Sequence, residues 1–155
     1  ATIRAATGPH LPVPLGVIGE AASVAVPLGL LDARQVRAIE RAASGGRIVI
    51  TPWRGVVIPG GAAALDALAE TALVTDEESA WSRLTACIGA PSCANSRINT
   101  RELAGELVDH LRAATLQPVH LSGCERRCGA PAGRHIDLVA PDCIGRALAE
   151  IERSQ

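Results

Sequence analysis

Four of the five cysteines fall in one pattern: Cys87-x5-Cys93, a gap spanning residues 94–123, then Cys124-x3-Cys128. A thiolate is a soft ligand suited to iron-sulfur clusters, copper(I) and zinc, and four thiolates from two separated loops complete the shell of a 4Fe-4S cube. The pattern therefore reads as a cluster cradle with Cys87, Cys93, Cys124 and Cys128 as ligands. Structural zinc takes pairs about two to four residues apart, which suits the second pair better than the first. Disulfides would need an oxidising compartment, and buried unliganded thiols stay open as a third reading. Cys143 falls outside the pattern.

The neighbours of these cysteines suit a tight loop. Gly89, Ala90 and Pro91 lie inside the first pair, and Gly123, Gly129, Ala130 and Pro131 flank the second, so the backbone can turn sharply and approach sulfur closely. Glu125, Arg126 and Arg127 inside the second pair are costly to bury without partners, so that loop is expected to face a crevice or solvent. These arginines are read either as offsetting cluster charge or as plain solvated charge. His120 and His135, with Asp137 nearby, are candidates for a second iron, although no two-histidine-one-carboxylate spacing is evident. Cys143, at the start of the last helix, reads as a buried structural thiol or one activated by the helix end.

Regular elements must position these loops. Leu15–Ile18 and Ser23–Pro27 are short strand candidates around a Gly19-Glu20 turn. Asp32 with Gln35 has the spacing of a capping box, Ala33, Val36, Ile39 and Ala43 recur as one helical face, and Gly45-Gly46 is expected to stop that helix. Strands over Arg47–Thr51 and Gly55–Pro59 flank Pro52-Trp53-Arg54, and Ala62–Ala72 reads as a helix. A second unit begins near Asp76. Asn99 with Glu102 opens a helix whose stripe is Leu103, Leu107 and Leu111, ending near Ala114. Val119–Ser122 then delivers Cys124, Ile136–Ala140 is a further strand, and Ile144, Ala147, Leu148 and Ile151 mark a closing helix.

The chain of 155 residues has a formal net charge of −1, which implies no polyanionic partner. It has no lysine, which excludes Schiff-base and P-loop lysine chemistry. The apolar stretch from Leu11 to Leu31 is broken by Pro12, Pro14, Gly16, Gly19, Glu20 and Pro27, so no membrane span is expected there. Nothing reads as a secretory signal, and a cytoplasmic location suits reduced thiols. Ala1 opens a chain without methionine, so a removed initiator or a longer parent chain is expected.

A small α+β unit followed by Cys-x5-Cys, a helix, a strand and Gly-Cys-x3-Cys resembles the nitrite and sulfite reductase superfamily. Within it, Thr51-Pro52-Trp53-Arg54-Gly55 and Cys87-Ile-Gly-Ala-Pro-Ser-Cys93-Ala94, followed by Asn99-Thr100-Arg101, look most like precorrin-3B synthase. The resemblance implies an α+β fold: an irregular leader over 1–14, a ferredoxin-like half-domain over 15–75, and an α/β cluster-binding domain over 76–155. It implies a 4Fe-4S cluster, a mononuclear iron, and oxygen-dependent hydroxylation of precorrin-3A with lactone formation in cobalamin synthesis. Arg54, Arg97 and Arg101 become candidates for the substrate carboxylates, since arginine grips carboxylate with a planar fork. Trp53 is a candidate for covering the macrocycle, or else a core anchor.

Siroheme members of the superfamily bridge the last cysteine, here Cys128, to the haem iron. They usually carry Pro-Asn where this chain has Glu125-Arg126-Arg127, which argues against sulfite reduction. A siroheme nitrite or sulfite reductase half is nevertheless one alternative, and a non-catalytic metal-binding or electron-relay subunit is another. The resemblance covers only the second half of a tandem unit. An N-terminal half from this or another chain and an electron donor are the expected partners, with no nucleic acid and no membrane.

Overall fold

The computed structural model describes residues 12–114 and 117–155. The expected leader lies outside the described residues up to residue 11. The chain forms two units: residues up to Ala25 with Asp32–Thr75, and Val26–Leu31 with Asp76–Gln155. After β2 the chain therefore gives a short segment to the second unit, where Leu28 packs against the core, and then returns.

The first unit is an antiparallel sheet backed by helices. β1 (Gly16–Ile18), β2 (Ala21–Ala25), β3 (Val49–Ile50) and β4 (Gly55–Ile58) stand in the order β1-β2-β4-β3. Ala22 pairs with Ile58 and Val24 with Val56, so one face of the two central strands is aliphatic and fully buried. α1 (Ala33–Ala43) packs against β4 and against α2 (Leu65–Ala69), closing the core with Ala38, Ile39 and Leu68.

The capping box opens α1 as expected. Asp32 Oδ1 accepts from the Gln35 backbone N–H at 2.8 Å, and Gln35 Oε1 accepts from Asp32 N–H at 3.0 Å. The buried stripe is rotated from the one expected. Gln35, Ala38 and Ile39 face inward while Val36 is exposed, and Gln35 Nε2 donates to Thr71 O at 3.2 Å, which satisfies its amide inside the core. The helix ends one residue before the glycines, because Ser44 itself takes the left-handed conformation at φ 48°. α2 is shorter than expected, as Ala62–Ala64 form a 3-10 turn. β3 is also shorter, since Thr51 belongs to the turn that follows it.

The second unit has a parallel sheet of β5 (Leu84–Ala86), β6 (Val119–Ser122) and β7 (Ile136–Val139), with β6 in the middle. β5 escapes the sequence reading because three residues are too few to show an alternating pattern. α3 (Thr100–Ala114) connects β5 to β6, and α4 (Ile144–Arg153) follows β7. The helices pack on each other and on one sheet face, where Leu84, Val119, Leu121, Ile136 and Leu138 meet Leu107 and Ile151. Side chains alternate along a strand, so Thr85, His120, Ser122 and Asp137 share the opposite face. That face is polar. No helix of the described residues is long and apolar enough to cross a membrane.

Leu107 is wholly buried between α3 and the sheet. Leu107→Ala should lower unfolding stability by about 2–5 kcal/mol in urea titrations, the usual cost of such a cavity. A loss well below 1 kcal/mol would mean that α3 does not seal this core.

Candidate functional site

The carboxyl ends of parallel strands are where open α/β sheets place their ligands. Cys87 directly follows the last residue of β5, and Cys124 comes two residues after the end of β6. Because Ala86 is in register with Leu121, both cysteine loops begin at the same sheet edge.

Backbone bonds tie the loops together. The Cys87 N–H donates to Leu121 O at 3.0 Å, and the Arg97 N–H donates to Gly123 O at 2.9 Å. The Gly123 N–H donates to Cys87 Sγ at 3.2 Å. An N–H aimed at a ligating sulfur would tune a cluster held there. A Cβ on Gly123 would lie 2.8 Å from Ser96 Cβ and collide with Ser96 Oγ, so only glycine threads this junction.

The first loop is a tight knot of its own bonds. Cys93 N–H donates to Gly89 O at 2.8 Å, Ala90 N–H to Ile98 O at 2.9 Å, and Ser96 Oγ to Ile98 O at 2.7 Å. Thr100 Oγ1 donates to Cys87 O at 2.7 Å, which hangs the cysteine on the first turn of α3. Gly89, at φ +66°, would put a Cβ only 2.7 Å from Thr100 N.

The second loop folds over the polar sheet face. Asp137 Oδ2 lies 3.7 Å from Arg127 Nη1, and Asp137 Oδ1 lies 3.2 Å from His135 Nε2. His135 Nδ1 faces Gly133 O at 2.7 Å. His120 is fully buried on β6, edge-on to the His135 ring, with Nδ1 2.8 Å from Thr85 Oγ1. Among the described residues, only His120 Nε2 and Ser122 Oγ are buried side-chain polar atoms without a hydrogen-bond partner. Burial pushes the His120 pKa below its ordinary 6.5, and His135 adds to this, while Asp137 and the nearby Cys128 backbone pull the other way. That backbone favours the charged ring without completing a hydrogen bond to Nε2.

All five thiols are free: Cys87, Cys93 and Cys124 are half-buried, and Cys128 and Cys143 are exposed. The exposure of Cys143 overturns the buried-thiol expectation, since the inward stripe of α4 is Ala147 and Ile151. The four patterned thiols suit a thiolate-held group in donor chemistry, in their origin from two joined loops, and in the N–H aimed at Cys87 sulfur. Among the described residues, no three His, Cys, Asp or Glu side chains are gathered as a site for one metal ion. His120, His135 and Asp137 thus form a hydrogen-bonded, edge-on set without being such a site, and the four patterned cysteines are likewise not gathered around one metal ion.

The arginine candidates differ in setting. Arg97 Nη2 donates to Glu125 Oε1 at 3.3 Å, linking the two cysteine loops. Arg101 is exposed on the first turn of α3. Arg54 lies in the first unit, in a turn with a physical logic of its own. Thr51 Oγ1 accepts from Gly55 N–H at 3.1 Å, and a Cβ on Gly55 would sit 2.8 Å from that same oxygen. Between them Arg54 takes φ 59°, and burial pushes its pKa down. Trp53 is 37% exposed, so it is not a core anchor.

The chain matches no protein-family profile and no curated protein sequence. Its fold is mixed α+β, with two small sheets and four α-helices among the described residues. Among solved structures it is similar to that of Mycobacterium tuberculosis NirA protein, at a TM-score of 0.61 and 24% identity. The likeness covers 76% of this chain and 26% of that one.

Sequence reasoning missed Thr85 and Ser122, and it named Thr100 only within a motif, without its bond to Cys87 O. The alternation of Val119, His120, Leu121 and Ser122 is the signal that could have found the polar face.

Because burial lowers the His120 pKa, the unfolded chain binds more protons than the folded one below the ordinary 6.5. The contribution of neutral His120 is complete above that pH and is lost as pH falls through the lowered folded value. The melting temperature should therefore drop on acidification below about pH 6.5, and His120→Gln should flatten the drop. An identical pH profile in the variant would remove His120 as its source.

Proposed function

We propose that this chain is the cluster-carrying part of an iron-sulfur oxidoreductase that works with a tetrapyrrole, with Cys87, Cys93, Cys124 and Cys128 holding a 4Fe-4S cluster. The observation that carries this reading is the junction at Gly123, where one loop donates an N–H to the first thiol of the other. The fold likeness to NirA supports it.

When bound, such a cluster supplies single electrons at the sheet edge. The chain's own residues hold and tune that edge. Gly123 N–H stabilises negative charge on Cys87 sulfur, and Thr100 and Leu121 hold the Cys87 backbone from two sides. Arg97 and Glu125 form an exposed ion pair between the first loop and the second. Arg54, Arg97 and Arg101 are the proposed contacts to tetrapyrrole carboxylates, with Arg54 best held because its backbone conformation is locked by Thr51 and Gly55.

Two finer readings follow from different observations. The likeness to NirA favours a half of a siroheme-dependent nitrite or sulfite reductase, and Cys128, alone exposed among the four, suits the bridging role. The exposed Trp53 beside half-buried Arg54 favours a precorrin-3B synthase-like monooxygenase that hydroxylates precorrin-3A, with a mononuclear iron assisting. In both, an N-terminal half would complete the active site, and an electron donor would supply electrons to a group held by Cys87, Cys93, Cys124 and Cys128. A siroheme band in the visible spectrum of purified protein selects the first reading. Oxygen-dependent conversion of precorrin-3A without that band selects the second.

Anaerobically purified or reconstituted protein should contain iron and acid-labile sulfide in equal amounts, and Cys128→Ser should lose most of the cluster absorbance. One zinc and no sulfide in the wild type would overturn the cluster.

Arg54→Gly should stay folded with a melting temperature near wild type, because glycine adopts φ 59° without steric cost. It should bind tetrapyrrole at least tenfold more weakly. Unaltered affinity would take Arg54 out of the site.

A further inference from the structure

We infer that the Arg127–Asp137 pair is a charge-setting device for the second cysteine pair, fixing the reduction potential of the group those cysteines hold. The inference rests on the cluster reading above and goes beyond it, because nothing in the thiol pattern calls for an ion pair at this place.

Arg127 lies between Cys124 and Cys128, where one turn closes and the next opens. Its N–H donates to Cys124 O at 3.3 Å, its carbonyl accepts from Ala130 N–H at 3.1 Å, and its φ is 49°. Left-handed backbone costs a non-glycine residue about 1–2 kcal/mol, and glycine would carry this turn with less strain. A side chain is present here in spite of that cost, and it reaches an anchored acid.

Asp137 belongs to β7, in register with buried His120 on β6, so its carboxylate stands on the rigid sheet. One oxygen lies 3.7 Å from Arg127 Nη1 and the other 3.2 Å from His135 Nε2. The remaining charges of the loop are arranged differently. Glu125 is paired with Arg97, and Arg126 is exposed. Arg127 is thus the loop charge that a sheet residue compensates.

A cluster's potential follows the net charge and hydrogen bonding around it. Removing the Asp137 charge leaves an uncompensated positive charge on Arg127, the residue before Cys128, which favours the extra electron. Removing the Arg127 charge leaves the Asp137 carboxylate uncompensated, which disfavours it. A pair that only held the loop in shape would respond to either loss in the same direction. The sign of the response therefore separates charge setting from bracing.

The test is an EPR-monitored redox titration of the cluster-loaded protein with Asp137→Asn, Arg127→Gln and the double variant. Asp137→Asn should raise the midpoint, Arg127→Gln should lower it, and the double variant should return close to wild type. Each single change should alter the oxidised-to-reduced ratio severalfold at the wild-type midpoint. Unmoved midpoints, or shifts of one sign in both single variants, would overturn the inference while leaving the cluster itself established by wild-type iron and sulfide. Should the neutral variants fail to retain iron, Arg127→Lys decides: iron and midpoint preserved by lysine support a charge role, and their loss with lysine overturns it.

Discussion

The candidate site depends on a glycine that has room for no side chain. Gly123 passes beside Ser96, gives its N–H to Cys87 sulfur and receives the Arg97 N–H at its carbonyl. Both of its backbone groups are thus committed to the first cysteine loop. A buried backbone group without a partner is costly, so this exchange sets the separation of the two loops more firmly than any surface ion pair can. The same residue joins structure to chemistry, because one of its two bonds ends on a sulfur that a metal group would share.

The second sheet explains why the junction is rigid. Its aliphatic face is sealed by α3 and α4, and its other face, with Thr85, His120, Ser122 and Asp137, is covered by the second cysteine loop. Parallel sheets are ordinarily covered on both faces, usually by helices. Here a loop does the covering, and a loop cannot seal an apolar face as a helix does. Polar residues on that face give it directional contacts in place of apolar burial, and the cysteines at its start are carried by a surface that is itself anchored.

Much of this was legible in the sequence. Capping residues and leucine spacing located α1 and α3, because those signals are local and strong. The cysteine loops were legible as loops, from glycine and proline content. The rotated stripe of α1 was not, because Gln35 reads as a surface residue until its amide is seen to meet Thr71 O. β5 was missed for its brevity, and with it went the fact that Cys87 leaves a strand end beside Cys124. The partners of Glu125 and Arg127 were equally hidden, since Arg97 and Asp137 are neighbours only after the sheet has formed.

The charged triplet inside the second cysteine pair is best understood through its energetics. Exposed ion pairs contribute about 0–1 kcal/mol each, and one left-handed residue costs about 1–2 kcal/mol. The Glu125–Arg97 and Arg127–Asp137 pairs together therefore do little more than offset the strain at Arg127, and they leave no surplus to stabilise the loop. Backbone bonds at Gly123, Arg127 and Ala130 must shape it instead. Charges that contribute so little to the fold, yet stand between two thiols, are not explained by the stability of the loop.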